Sequence, residues 1–174
     1  KFATSKHKLP KSRVISLWKS FSLSYLNNKF RIFSSQNIYD KIVKVSHNTF
    51  SKDLSKKLNK NIDFFIGLSS FCYEGLLRAN ELGVFSIVDH GSLHQKFEQN
   101  ELFIESEKFG FLIGGINKYQ WLIDKQEKEY EIAQKVIVLS SLAKKTFIEQ
   151  GIDEKKISVN TVSYTHLRAH ETRS

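Results

Sequence analysis

An α/β domain with a mainly parallel sheet is the fold class this sequence predicts, and three observations carry it. Apolar runs of strand length recur at residues 62–68, 84–88, 135–139 and 157–159, separated by segments with helical spacing. The first of these runs is nearly continuous in its apolar character, as in strands covered on both faces. Gly83 and Gly151 stand where two of the intervening helices must end, a position that favours a left-handed backbone. Strands alternating with helices give parallel neighbours joined by right-handed crossovers. No internal repeat and no low-complexity linker interrupts the series.

The elements follow in order. Residues 1–5 read as the end of a strand. Residues 11–26 carry Val14, Ile15, Leu17, Trp18, Phe21 and Tyr25 at mixed helical spacing, and residues 30–33 are a short apolar run of strand type. Residues 37–45 and 50–58 look helical, with a break at His47 and Asn48. Strand 62–68 leads to Ser69 and Ser70, then to helix 73–82 and strand 84–88. Two longer helices span 94–108 and 118–134, and Gly110, Gly114 and Gly115 mark a flexible connection between them. After strand 135–139, the hydroxyl of Ser140 or Ser141 can accept from the free N–H groups opening helix 142–150.

Length and composition bound what this domain can be. The 174 residues suffice for one domain with a real core, and 40% hydrophobic with 26% charged residues is an ordinary globular balance. The longest apolar stretches, 64–68 and 109–116, fall far short of the ~20 residues needed to span a bilayer. The first residues do not read as a signal peptide. Cys72 is alone, which excludes an internal disulfide framework and a cysteine metal cluster and fits a reducing, cytoplasmic setting. The net charge of +9 is concentrated: residues 1–60 hold 14 basic and 2 acidic side chains, residues 61–160 hold 11 and 15. Such a basic third suits an anionic membrane, nucleic acid or an acidic glycan, or is simply a solvated lysine-rich surface.

Ligands of open parallel sheets bind at the carboxyl ends of the strands. Here the first buried run stops at Ser69, Ser70 and Phe71, and the second at Asp89, His90, Gly91, Ser92 and His94. Ser69 and Ser70 are of a type to contact substrate, and Ser70 also reads as the cap of the next helix, with Glu74 in its first turn. Asp89 orients His90, binds a hydroxyl, or is a turn residue. Gly91 allows close backbone approach or a positive φ. Ser92 and His94 line the same loop, with Ser92 the favoured helix cap. Ser140 is both cap and cleft residue. Arg78 pairs with Glu74 or Glu81 across one helical turn. Glu127, Glu129 and Glu131 read as a solvent-facing charge run. Dinucleotide-binding, Walker A, nucleophile-elbow and zinc spacings are absent from the sequence, so no metal is expected.

The run 69–94 and the segment 128–160 together resemble the N-terminal domain of family 4 retaining glycosyltransferases. The second segment carries the resemblance: Glu129, Tyr130, Glu131 and Ala133 at a helix end, the strand 136–139, Ser140 opening the next helix, Phe147 and Gly151 closing it, then Lys156, Ile157 and Val159. Gln134 stands where the family usually has Asp. The resemblance implies the GT-B architecture, two Rossmann-like three-layer domains facing across a cleft, of which residues 1–160 would be a partial acceptor-side half. It implies a hexosyl transfer from a nucleotide-sugar donor to a glycan or lipid-linked acceptor with retention and without a cofactor. His90 then stands where the family places a cleft-facing histidine, the candidate catalytic residue, able to bond a sugar hydroxyl or support developing charge. Ser69, Ser70, Asp89, Gly91, Ser92, His94 and Ser140 become the substrate-binding set. Trp121 and Tyr130 become core or sugar-facing packing. The basic third would suit peripheral contact with an anionic membrane, and nucleic acid is not expected.

Residues 162–172, VSYTHLRAHET, resemble one reading frame of a transposase sequencing adapter, so residues 161–174 are expected to be a non-native tail and the chain an inactive piece of a longer enzyme. His166 and His170 are discounted with that tail. The rival expectation is a non-enzymatic α/β binding or regulatory domain whose basic surface meets nucleic acid or a partner.

Overall fold

A computed structural model describes residues 36–110 and 120–161, with isolated positions at 15, 17, 22 and 25. The elements expected at 1–5 and 30–33, most of helix 11–26, the Gly114 and Gly115 connection and the tail from 162 lie outside the described residues. The described elements are α1 (Gln36–Ser55), β1 (Phe64–Leu68), α2 (Tyr73–Glu81), β2 (Phe85–His90), α3 (Gln95–Phe109), α4 (Gln120–Ile132), β3 (Lys135–Val138), α5 (Ser141–Glu149), a 3-10 turn (Glu154–Lys156) and β4 (Ile157–Val159). The strands form one parallel sheet in the order β1-β2-β3-β4. The fold is α/β and Rossmann-like, as the sequence predicts.

Alternation within the strands decides where the core lies. Phe65 and Gly67 of β1, Val88 of β2 and Val136 and Val138 of β3 point to the side on which Leu76 and Ala79 of α2, Tyr130 of α4 and Ala143 and Phe147 of α5 pack. The other face of the sheet carries Phe64, Ile66, Leu68 and Phe85, each between 43% and 59% exposed. The nearly continuous apolar run of β1 is thus built from one buried and one open set.

Two glycines bound α2, one at each end. Gly67 lies against the start of that helix: a methyl group there would stand 2.2 Å from Cys72 Cβ, so only glycine lets the chain fold back this closely. Gly83 closes the helix at φ 71°, the left-handed turn expected of it. The break expected at His47 and Asn48 does not occur, and α1 runs through both. Neither residue interrupts the helical ladder as proline would, and each is held from outside the helix. His47 stacks on Phe71 at 3.9 Å, and Asn48 accepts from Lys125 Nζ at 3.2 Å. Among the described residues no helix is long and apolar enough to cross a membrane.

Candidate functional site

The carboxyl ends of β1, β2 and β3 lie side by side. Leu68 is in register with Asp89, and His90 with Val138. Ser69 N donates to Asp89 O at 3.0 Å, and Asn160 N to Val138 O at 2.8 Å, which extends the row beyond the strands proper. The parallel register therefore gathers Ser69, Ser70, Asp89–Ser92 and Ser140 onto one edge of the sheet.

The loop after β1 is held by a carboxylate from far along the chain. Glu129 is fully buried, and its two oxygens accept from Ser70 N at 2.6 Å and Cys72 N at 3.0 Å. Gln126, one turn earlier on α4, donates from Nε2 to Ser70 Oγ at 2.8 Å. Ser70 is held at φ 77°, a left-handed conformation that costs a serine of order 1–3 kcal/mol and persists only where the surroundings impose it. Two N–H groups just before α2 are thus already taken by the protein's own carboxylate. Burial pushes the Glu129 carboxyl above the usual carboxylate range, against the pull of those two N–H donors and of Lys125. The solvent-facing charge run expected at 127–131 is therefore corrected for Glu129: a helical face that looks charged in sequence is turned inward because buried backbone donors need it.

The cap expected of Ser70 is corrected as well. Cys72 occupies the cap position of α2, and Ser51 of α1 supplies the acceptor, taking Glu74 N at 3.0 Å.

Behind the strand ends runs a directed hydrogen-bond chain. His90 is 3% exposed. Its Nε2 lies 3.0 Å from the carbonyl oxygen of Leu93, which can only accept, so Nε2 carries the proton. Nδ1 then accepts from the Tyr130 hydroxyl at 2.8 Å, and Tyr130 accepts in turn from Ser69 Oγ at 3.3 Å. Ser92 Oγ lies 3.0 Å from the same Nε2. His90 thus ties the loop 91–93 to α4 and to the end of β1. The catalytic role expected of His90 has no open route in this arrangement, because both ring nitrogens are engaged and the ring is enclosed by Tyr130 and Phe147.

His94 is also enclosed, at 1% exposure, and is the cap of α3, accepting Lys96 N on Nδ1 at 3.3 Å. That corrects the cap expected of Ser92, whose hydroxyl turns back to Leu93 O. His94 Nε2 lies 2.9 Å from Glu127, which also pairs with Lys96 at 2.5 Å. Gly91 is exposed, sits outside the left-handed region, and a Cβ there would meet nothing, so the positive φ does not apply and nothing within the protein itself requires a glycine there. Ser140 caps α5 as expected, accepting Ala143 N at 3.0 Å. Arg78 pairs with Glu81 at 3.0 Å on the surface. Of the expected set, Asp89, Gly91, Ser92 and Ser140 reach the open edge, while Ser69, Ser70, His90 and His94 lie beneath it. The residues that sequence reasoning missed are Glu129, Gln126 and Ser51. The signal that could have found the first is its place beside Tyr130, where one helical turn presents both side chains to the same loop.

Burial lowers the pKa of both His90 and His94, in His94 against the opposing pull of Glu127. A neutral buried histidine contributes stability above its unfolded pKa near 6.5, and this is lost as pH falls toward the depressed folded value. Glu129 acts oppositely: its raised pKa returns stability as pH falls through the folded value toward about 4.5. With Glu129 replaced by glutamine to remove that opposing contribution, the unfolding free energy is expected to fall from pH 7 to 5.5, by up to about 1.4 kcal/mol per pH unit for each histidine. Urea titrations of Glu129→Gln at three pH values check this, and an unfolding free energy that stays flat in that background would show that neither histidine is held neutral.

Comparison with family models, with curated proteins and with solved structures finds no match to this chain.

Proposed function

We propose that this domain is the acceptor-side wall of a retaining GT-B glycosyltransferase, which moves a hexosyl group from a nucleotide-sugar to a glycan or lipid-linked acceptor. One observation carries the reading: three successive parallel strands end in one row, and that row presents Asp89, Gly91, Ser92 and Ser140 outward over a rigid polar support. A carboxylate and two hydroxyls on a fixed edge suit the hydroxyl-rich surface of a sugar, accepting and donating in turn. Exposed Gly91 leaves the backbone open to close approach. His90, Tyr130 and Glu129 are then positioning residues, holding the loops that carry the contacts. The ordered series from Glu129 to Val159 supports the same reading, since its members fall at the helix end, strand, cap and turn that the resemblance implies. The donor and the opposite wall of the cleft belong to the second domain of that architecture.

The test is transfer by the full-length protein from labelled UDP- and GDP-hexoses to lipid-linked and phosphorylated glycan acceptors, with the anomeric configuration of the product read by proton NMR. Retention is expected, with Asp89→Asn lowering kcat/KM at least about tenfold by removing a charged acceptor of a substrate hydroxyl. An inverted product, or no transfer across the panel, overturns the reading.

A further inference from the structure

A second polar cleft lies on the helical side of the sheet, between α1 and α4. Lys44, Asn48 and Lys52 fall on one stripe of α1 at successive four-residue steps, and Trp121, Lys125 and Lys128 on one stripe of α4. These stripes line a cleft of about 330 Å³, with the first turn of α2 at Tyr73 and Glu74 completing the wall. Four lysines thus line one small cleft. Among the described residues none of them pairs with a carboxylate; Lys125 reaches only Asn48, and Lys44 lies 5.9 Å over the Trp121 ring.

The neighbouring cleft is a useful contrast. It is wider, about 630 Å³, and runs along the other side of α4 past Lys96, Lys128 and Lys156. There the cations are largely engaged. Lys96 pairs with Glu127, and Lys156 donates to Tyr130 O and Glu131 O at the end of α4. The lysines between α1 and α4 form no such ion pair, and Lys44, Lys52 and Lys128 are exposed and open to an incoming anion. Asp124 and Glu74 add two carboxylates to the same lining, so four lysines still leave the cleft with an excess of positive charge. One further atom points to a ligand with more than charge. Oε2 of Glu74 is buried and without a hydrogen-bond partner, and a buried carboxylate oxygen left so is costly unless a donor reaches it.

We infer that the cleft between α1 and α4 binds a sugar phosphate, with the phosphate among Lys44, Lys52 and Lys128, a sugar hydroxyl donating to Glu74, and the ring against Trp121. The ligand class follows from the pairing of chemistries. A phosphate alone leaves Glu74 unsatisfied and repelled, and a neutral sugar leaves the lysines unscreened. An indole face is the wall on which a sugar ring packs its C–H groups. Burial holds the Lys125 ammonium below lysine's usual range against the pull of Glu74 and Glu129, so a further anion beside it adds to that pull. The site is separate from the strand-end row and stands whether or not the transferase reading does.

Calorimetry on the whole chain at low salt tests this with four probes: glucose 1-phosphate, inorganic phosphate, glucose and phosphatidate vesicles. Glucose 1-phosphate is expected to bind at least about tenfold more tightly than either inorganic phosphate or glucose, the gain of adding a charged hydrogen bond to the contacts each makes alone. Lys52→Ala with Lys128→Ala removes two exposed side chains, so the urea midpoint stays in place while affinity falls about tenfold or more. Glu74→Gln narrows the preference for glucose 1-phosphate over inorganic phosphate. Unchanged affinity in the double-lysine variant overturns the site. Equal binding of inorganic phosphate and glucose 1-phosphate overturns the sugar part. Binding to phosphatidate vesicles without binding to glucose 1-phosphate assigns the surface to a lipid headgroup and overturns the soluble ligand.

Discussion

Glu129→Ala is expected to lower the unfolding free energy by about 3–5 kcal/mol, the largest loss available from one polar side chain in this domain. The carboxylate serves two backbone N–H groups, at Ser70 and Cys72, in a loop closed to solvent. Removing it leaves both donors buried and unpaired at about 1–3 kcal/mol each. Offsetting this, alanine removes a buried charge whose ionisation burial already penalises and lets Ser70 relax from its left-handed conformation, which keeps the loss below the sum of both donors. Glu129→Gln should fall between wild type and alanine, because the amide keeps one acceptor and sets its NH2 against the other donor. Urea unfolding of the three proteins checks the order. A Glu129→Ala midpoint equal to wild type would show that water or another group serves the loop as well. The same variant should shed amide-exchange protection at Ser70 and Cys72 before the rest of the sheet does, since the clamp is local.

Gly67→Ala should cost at least about 3 kcal/mol although it adds one methyl group. The new Cβ would stand 2.2 Å from Cys72 Cβ and 2.8 Å from Cys72 Sγ, with Phe65 at 3.1 Å on the other side. The obstructing atom is a Cβ, fixed by its own backbone, so no rotamer change relieves the contact. Either β1 leaves its register with β2 or the start of α2 lifts away, and the second option breaks the Glu129 clamp. A double-mutant cycle separates steric cause from mere loss of glycine flexibility. Cys72→Gly removes the obstructing carbon, so Gly67→Ala should cost markedly less in that background. If the cost is the same in both backgrounds, the steric account fails. The cysteine itself is inert chemically, since burial and Glu129 push its thiol far above the ordinary range.

Much of the fold was legible along the chain. Strands at 64–68, 135–138 and 157–159, the end of α2 at Gly83 and the Ser140 cap each rest on neighbours within a few residues, where apolar periodicity and turn chemistry act. The row of strand ends was legible for the same reason, because a parallel sheet brings successive carboxyl ends to one edge whatever the side chains. What failed was the assignment of polar side chains to one side or the other of that edge. His90 and His94 read as cleft residues and are enclosed; Glu129 reads as solvated and is the most buried carboxylate of the described residues.

Sequence by itself therefore determined the fold class, the order of elements and the edge at which the strand ends come together. Tertiary structure alone decided that α1 runs unbroken through His47 and Asn48, that Ser51 rather than Ser70 serves the start of α2, and that Glu129 closes the loop after β1. In each case the deciding partner lies between 23 and 77 residues away. Local pattern records whether a residue can pay the cost of burial through its own periodicity. Whether a buried donor elsewhere will satisfy a polar side chain depends on which distant backbone the packed sheet and helices bring within 3 Å.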